Sequence, residues 1–328
     1  MRRFGMAVIG LGVVGQRMLE QTARHAGIQV VSAWDAAPAA RSAAVRAFPD
    51  LPVAASAADA IERLDVDVVY VATPPTSHAA LVQAAIAAGK AVFCEKPLGV
   101  DLPTSVALVE AVEARRALEA VNFPFASSAA VEQLRSVLNA PGFDLRAIEI
   151  RVRFHAWPRD WQASARWLAQ AQEGGFTREV LSHFFWLLHR LRGRVEVRGG
   201  LVTRPSRPPE AAEQAVAAVL NAQGVPVSLS GSVGGAAPDR IEARFIGEHE
   251  EWVLSDWYRL QVFDAQSPQG RSIPGLPEDP RQATYQRQLD QLHALLSGQA
   301  HTLPTFAEAL AVQREVETLL RFQQDATR

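Results

Sequence analysis

At 328 residues the chain is long enough for two domains of ordinary size, each with its own core. Hydrophobic residues make up 48% and charged residues 21%, with a formal net charge of −2, the composition of a soluble globular protein without the electrostatic footprint of a nucleic-acid or acidic-lipid binder. The single cysteine excludes an internal disulfide and agrees with a reducing, cytoplasmic setting, and no apolar run is long enough to span a bilayer or resembles a cleavable signal.

From Phe4 to about Asn122, short β-rich runs alternate with alanine-rich helical stretches, the pattern of βαβ units and a parallel sheet. Strands are expected at Phe4 to Gly10, Gln29 to Trp34, Val66 to Ala72, Ala91 to Cys94 and Leu118 to Val121. Helices are expected at Gly15 to His25, Pro38 to Phe48, Ala57 to Leu64, Ser77 to Ala88 and Leu102 to Arg115. The third strand reads Val-Asp-Val-Val-Tyr-Val-Ala, nearly all apolar, as a strand covered on both faces must be. Beyond Asn122 a helix runs to about Leu138, and then strand follows strand from Leu145 to Asp264, which predicts an antiparallel sheet. A helical stretch from Gly174 to Leu191 interrupts it, two more (Pro280 to Ser297, Thr305 to Phe322) close the chain, and Arg204 to Pro209 and Ser267 to Asp279 read as proline-rich loops. The fold class expected is therefore α/β plus α+β: a doubly wound parallel Rossmann sheet over 1–122, then an open, mostly antiparallel sheet with helices on one face over 123–328.

Gly10-Leu11-Gly12-Val13-Val14-Gly15 lies directly after the first strand and opens the first helix. Its glycines serve a tight turn, close backbone approach to a pyrophosphate and close helix–strand packing, with Val13 and Val14 in the helix's first turn. Asp35 ends the second strand, twenty residues after Gly15, where an acid can bond a ribose 2′-hydroxyl. With Ala36 and Ala37 following, that acid repels a 2′-phosphate and favours NAD, while NADP stays open because Arg41 can reach across. Two further motifs fall at expected carboxyl ends of strands: Thr73-Pro74-Pro75-Thr76-Ser77-His78, which reads equally well as a helix-capping loop, and Glu95-Lys96-Pro97, whose charges are placed for chemistry.

Together, in this order and spacing, these motifs resemble the glucose-fructose oxidoreductase / inositol dehydrogenase / MocA family across the whole first domain. The resemblance implies that Thr73, Pro74, Pro75, His78, Glu95, Lys96 and Pro97 line the cofactor, that Lys96 is catalytic or orients substrate, and that the bond before Pro97 is cis. It also matches Asn122 to a substrate-side asparagine, although Pro124 stands where the family commonly has arginine. In the second domain the stretch Gly174-Gly175-Phe176-Thr177-Arg178-Glu179-Val180-Leu181-Ser182-His183 follows the family's Gly-Gly, Asp, His pattern, with Glu179 replacing the aspartate. Glu179 and His183 are four apart and share a helix face, so both are candidates for acid/base chemistry with Lys96; without the resemblance His183 reads as a core histidine.

Trp157, Arg159 and Trp161 leave a strand together and suit sugar stacking or, with Arg178, an anionic substrate; a packed loop corner is the plainer reading. The function expected is NAD(P)-dependent hydride transfer on a carbinol, carbonyl or imine of a small polar metabolite such as a sugar, polyol or related acid. The alternatives are a non-catalytic ligand sensor on the same scaffold and a redox-assisted glycosidase or lyase retaining NAD. No metal ligands are assigned. The resemblance implies a homodimer or homotetramer through the C-terminal sheet, and neither a nucleic acid nor a membrane is expected as partner.

Overall fold

The computed structural model describes residues 2–208 and 210–322. Met1, Pro209 and residues 323–328 of the expected domain ranges and loop lie outside the described residues. The chain divides into two compact units, Met1–Ser127 with Gln282–Leu310, and Ser128–Arg281 with Ala311–Arg328.

The first unit carries a five-stranded parallel sheet in the order β2-β1-β3-β4-β5: β1 Phe4–Ile9, β2 Ile28–Trp34, β3 Val68–Val71, β4 Ala91–Cys94 and β5 Glu119–Val121. All residues of β1, β3 and β4 are buried, which is why those strands are apolar without alternation. Their crossovers are helical: α1 Val13–Thr22, α2 Pro38–Ala47, α3 Ala57–Glu62, α4 His78–Ala87 and α5 Leu102–Arg115. The strand order reverses between β1 and β3, so the crevice outside their carboxyl ends is the topological switch point where open α/β sheets bind ligands.

The expected second-domain range does not coincide with the second unit. Residues 282–310, expected in the second domain, group with the first unit. The cause is helix α8 (Pro280–Leu296), whose Tyr285, Leu289, Leu292 and Leu295 repeat at helical spacing and join the core that holds Met6, Val8, Tyr70 and Phe93. Leu289 and Leu292 are fully buried, each contributing about 2 kcal/mol of apolar burial, which fixes the segment to this sheet.

The second unit holds α6 (Ala129–Leu138), α7 (Ser182–Arg192) and an eight-stranded sheet ordered β13-β12-β11-β10-β6-β9-β8-β7. Its strands are β6 Leu145–Phe154, β7 Val195–Thr203, β8 Ala215–Ala222, β9 Val225–Val233, β10 Arg240–Gly247, β11 Glu250–Ser255, β12 Arg259–Asp264 and β13 Ser267–Ser272. Every pairing is antiparallel except β6 with β9. β8 and β9 alternate buried and exposed residues, and α6 and α7 pack on the sheet, so the expected fold class is observed.

Two local expectations are corrected. Ser267–Ser272 forms a strand, and it is an edge strand, where a residue such as Pro268 that lacks an N–H is tolerated. The helical stretch expected from Gly174 begins only at Thr177, with a π-helical turn, Thr177–Leu181, that runs into α7.

Helix α9 (Phe306–Leu320) starts on a carboxylate of β5: the Phe306 N–H donates to Glu119 Oε2 at 2.8 Å. Burial outweighs that bond and pushes the Glu119 carboxyl up to about 7, with Glu308 and Glu113 adding to the rise. A carboxyl whose pKa is higher folded than unfolded binds more protons in the native state, so its contribution to stability falls as pH rises between the unfolded value and about 7. Glu119→Gln is therefore expected to raise the melting temperature by a few degrees at pH 8 and by little at pH 5, measured by calorimetry across that range.

Candidate active site

At the switch point two of the glycines are sterically required. Gly10 has φ +102°, and a Cβ there would lie 2.5 Å from the Ala72 carbonyl oxygen, in the chain leaving β3. A Cβ on Gly15 would lie 1.9 Å from the Gly10 carbonyl oxygen, so only glycine lets α1 pack down on β1. Gly12 differs: it is exposed, and a Cβ on it would meet nothing within 4 Å. Gly12 is the N-cap of α1, with no side-chain cap and no acidic residue in the first turn, which contains half-buried Val13 and Val14. The helix therefore presents open N–H groups and its positive end beside a residue without a side chain, an arrangement that fits a pyrophosphate.

Asp35, half-buried at the end of β2, accepts from the Leu11 N–H at 2.7 Å and from the Ala37 N–H at 2.8 Å, which ties the glycine turn to the second strand. The Arg41 guanidinium donates to the backbone carbonyls of Asp35 and Ala36. It therefore stands beside the acid that would meet a ribose.

The second loop, after β3, does not cap α4 through a hydroxyl. Ser77 instead donates to Thr73 Oγ1 at 2.7 Å and to the Pro74 carbonyl at 2.9 Å, folding the loop on itself, with Pro75 buried and Pro74 exposed. His78 is fully buried, with Nδ1 2.8 Å from the Pro97 carbonyl oxygen and Nε2 2.8 Å from that of Thr73. The ring thus bridges the two loops. Burial pushes its pKa down, opposed by the two carbonyls and reinforced by Lys96.

The third loop, after β4, contains the Lys96–Pro97 cis peptide that the resemblance implies. Lys96 is 7% exposed. Glu95 before it accepts from the Tyr70 hydroxyl and from the Asn122 amide, both at 2.5 Å. Asn122 Oδ1 in turn accepts from Gln288 of α8 at 2.7 Å. Burial, then the Glu95 charge, raises the Tyr70 pKa well above its ordinary value and keeps the phenol a donor. Asn122, expected at the substrate, is instead 2% exposed, and its amide is used inside this network. Neither Tyr70 nor Gln288 carries a local sequence signal for this network: Tyr70 lies within an apolar strand, and Gln288 stands 166 positions from Asn122.

In the second unit, Arg178 also departs from its expected role. Its Nε and Nη2 bond the two carboxylate oxygens of Glu317 at 2.6 and 2.9 Å, and its Nη1 donates to the carbonyls of Ala171 and Gly174. Both side chains are largely buried, so the pair is a structural clamp on the start of the α7 helix. Glu213, not singled out from sequence, also secures this helix start. It is 2% exposed and accepts from the Thr177 N–H at 2.6 Å, in space that a Cβ on Gly175 would occupy.

Arg159 stacks over Trp161, Phe154 and Trp157 at 4.6, 5.0 and 5.6 Å from their ring centres. Its Nε donates to Gln162, whose amide donates to Glu179 at 3.2 Å, so Arg159 and Glu179 are joined through one residue. Trp157 donates to the Leu168 carbonyl and packs on Phe154 and Phe176, a loop corner, whereas Trp161 is 41% exposed. His183 is 7% exposed and lies edge-to-face with Trp257, ring centres 5.3 Å apart at 89°.

These features coincide with the comparisons to known proteins. Residues 4–123 match GFO_IDH_MocA, described as "Oxidoreductase family, NAD-binding Rossmann fold". That match is confined to the Rossmann sheet of the first unit, and there the chain is similar to this oxidoreductase family. Inositol 2-dehydrogenase 3 of Saccharopolyspora erythraea is 37% identical over 139 residues, 42% of this chain and 41% of that protein. An inositol 2-dehydrogenase of Burkholderia multivorans is 40% identical over 108 residues, 32% of each. The chain therefore covers less than half the length of these relatives. Solved structures match over the whole chain in fold. An oxidoreductase from Agrobacterium radiobacter in complex with NAD+, L-tartaric acid and magnesium has a TM-score of 0.82 at 18% identity, covering 98% of this chain and 96% of that one. A 3-ketoreductase from Actinomadura kijaniata in complex with NADP and TDP-benzene has 0.81 at 21%, covering 98% of each.

Two outcomes separate packing from ligand contact. Gly15→Ala is expected to lower the melting temperature sharply, while Gly12→Ala leaves it unchanged and weakens NAD binding about tenfold or more in calorimetric titration. Arg178→Ala and Glu317→Ala should each destabilise by about 3–5 kcal/mol in urea unfolding, since either leaves a buried charge without its partner; an unchanged midpoint would return Arg178 to the candidate substrate contacts.

Proposed function

We propose that the protein is an NAD(P)-dependent dehydrogenase or reductase of CH–OH groups, acting on a sugar, a polyol or a related acid. The observation that carries this reading is the Glu95-Lys96-Pro97 loop, fixed from below by Tyr70, Asn122 and Gln288 and from the side by His78. It lies at the carboxyl end of β4 in an NAD-binding Rossmann sheet. Such anchoring is what a residue needs when its amine must stay at one place relative to a reacting carbon. The inositol 2-dehydrogenase relatives support a polyol, and the tartaric acid named with the Agrobacterium structure supports a hydroxy acid as the second class to test.

When bound, the nicotinamide supplies a hydride acceptor or donor. Removing a hydride from a carbinol requires its hydroxyl proton to leave, and we assign that proton to Lys96 or His183, with Glu179 binding substrate hydroxyls. Trp161 and Arg159 are proposed as substrate contacts of the second unit, with Trp157 as their packing support. Asp35 is proposed to bond the ribose 2′-hydroxyl and so to favour NAD, with Arg41 the group through which NADP would be accepted. A homodimer or homotetramer is proposed through the outer face of the second sheet, where Val219 is 58% and Leu201 39% exposed.

The test is a panel of polyols, aldoses, hydroxy acids and semialdehydes with NAD and NADP, followed at 340 nm. Lys96→Ala should lower kcat about 100-fold or more on the best substrate while NAD affinity stays within about threefold. Equal loss of both would assign Lys96 to cofactor binding, and undiminished turnover would sink the reading.

A further inference from the structure

We infer that Trp257 is a positioning residue for His183, held in a costly backbone conformation so that its ring fixes the imidazole. This rests on the reading of His183 as a proton-transfer or substrate-binding residue.

The turn joining β11 to β12 consists of three residues, Asp256, Trp257 and Tyr258, because Ser255 pairs with Arg259. Asp256 has φ +48° and Trp257 has φ +73°, the left-handed region. Aspartate tolerates it, but for a bulky aromatic residue it is an outlier, and glycine or asparagine would close the same turn without strain. The conformation is held from outside the turn: the Asp256 N–H donates to the Ile241 carbonyl of β10 at 3.0 Å. Strained backbone of this kind persists where the surroundings impose it, and it gathers at functional sites.

What the strain places is an indole against the α7 helix. Trp257 meets His183 edge-to-face, centres 5.3 Å apart at 89°, and stacks with Phe184 at 6.2 Å and 28°. Consecutive helix residues point about 100° apart, so one ring touching both is wedged against the helix surface and restricts the torsions of each. His183 follows the π-helical turn Thr177–Leu181, whose extra backbone residue shifts the helix face on which it emerges. A helix start so altered leaves the imidazole direction to contacts from outside the helix, and Trp257 supplies one. Glu213 and Arg178 fix the helix backbone; Trp257 fixes the side chain.

The experiment uses the full chain, histidine-labelled with 13C and 15N, with the His183 signal assigned from its loss in His183→Asn. Three-bond couplings about the His183 χ1 report whether one rotamer is occupied. The native protein should show a single rotamer, Trp257→Asn an average over rotamers, and Trp257→Phe a return at least halfway to the native couplings. Because asparagine accepts the left-handed region, Trp257→Asn should melt within a few degrees of the native protein. In NAD reduction with myo-inositol as the probe, kcat should fall about tenfold while KM for NAD holds. Native single-rotamer couplings in Trp257→Asn would overturn the inference whatever the activity, and an unaltered kcat on a turned-over probe would overturn it as well. Full activity in His183→Asn would instead sink the role of His183, leaving the coupling result to decide what Trp257 does.

Discussion

The chain leaving β1 passes the chain leaving β3 so closely that a single methyl group at Gly10 would collide with the backbone at Ala72 and Thr73. That approach fixes the geometry of the first unit's site. It sets the glycine turn against the Thr73 loop, allows α1 to seat on Gly15, and turns the open end of α1 toward the crevice where the strand order reverses. Because backbone at both positions is the obstacle, no side-chain adjustment relieves it.

From that contact, hydrogen bonds extend the order outward. Asp35 holds Leu11, His78 holds the carbonyls of Thr73 and Pro97, and Tyr70 with Asn122 holds Glu95. Every loop at the carboxyl edge is thereby bonded to a neighbour from a different strand. A fully buried histidine facing two carbonyls can donate to only one of them while neutral, and burial favours the neutral form. The bridge is consequently strongest when the imidazole carries its second proton, and Lys96 nearby works against that proton. The loop carrying Lys96 and the loop carrying His78 are coupled through charge as well as through the carbonyl of Pro97.

Much of the first unit was legible in the sequence because its constraints are local. The glycine spacing reports a steric demand within six residues, and uniformly apolar runs report strands covered on both faces. What escaped the sequence is long-range pairing. Gln288 stands 166 positions from Asn122, and Glu317 stands 139 positions from Arg178. Nothing in either local pattern shows that the partner exists, so Asn122 and Arg178 looked like groups available to a substrate. The same blindness hid Glu213, whose effect appears in sequence only as the glycine at 175. Pro268 misled in another way, since a proline in a strand signals an edge only once the sheet order is known.

The two units therefore differ in how they build precision. In the first, backbone crowding decides where the loops lie, and polar side chains tie them together. In the second, the helix start carrying Glu179 and His183 departs from regular geometry and is restrained by side chains from elsewhere: a carboxylate on its first N–H, a guanidinium clamp on the preceding carbonyls, and an indole on its face. Glu179 belongs with this arrangement, because its carboxylate is met by Gln162, which Arg159 orients in turn. Changing the reach of one acid on that helix thus engages the loop that carries Trp157 and Trp161. Substrate preference on this scaffold is expected to be set by that loop and the helix together, while the nucleotide turn stays the same.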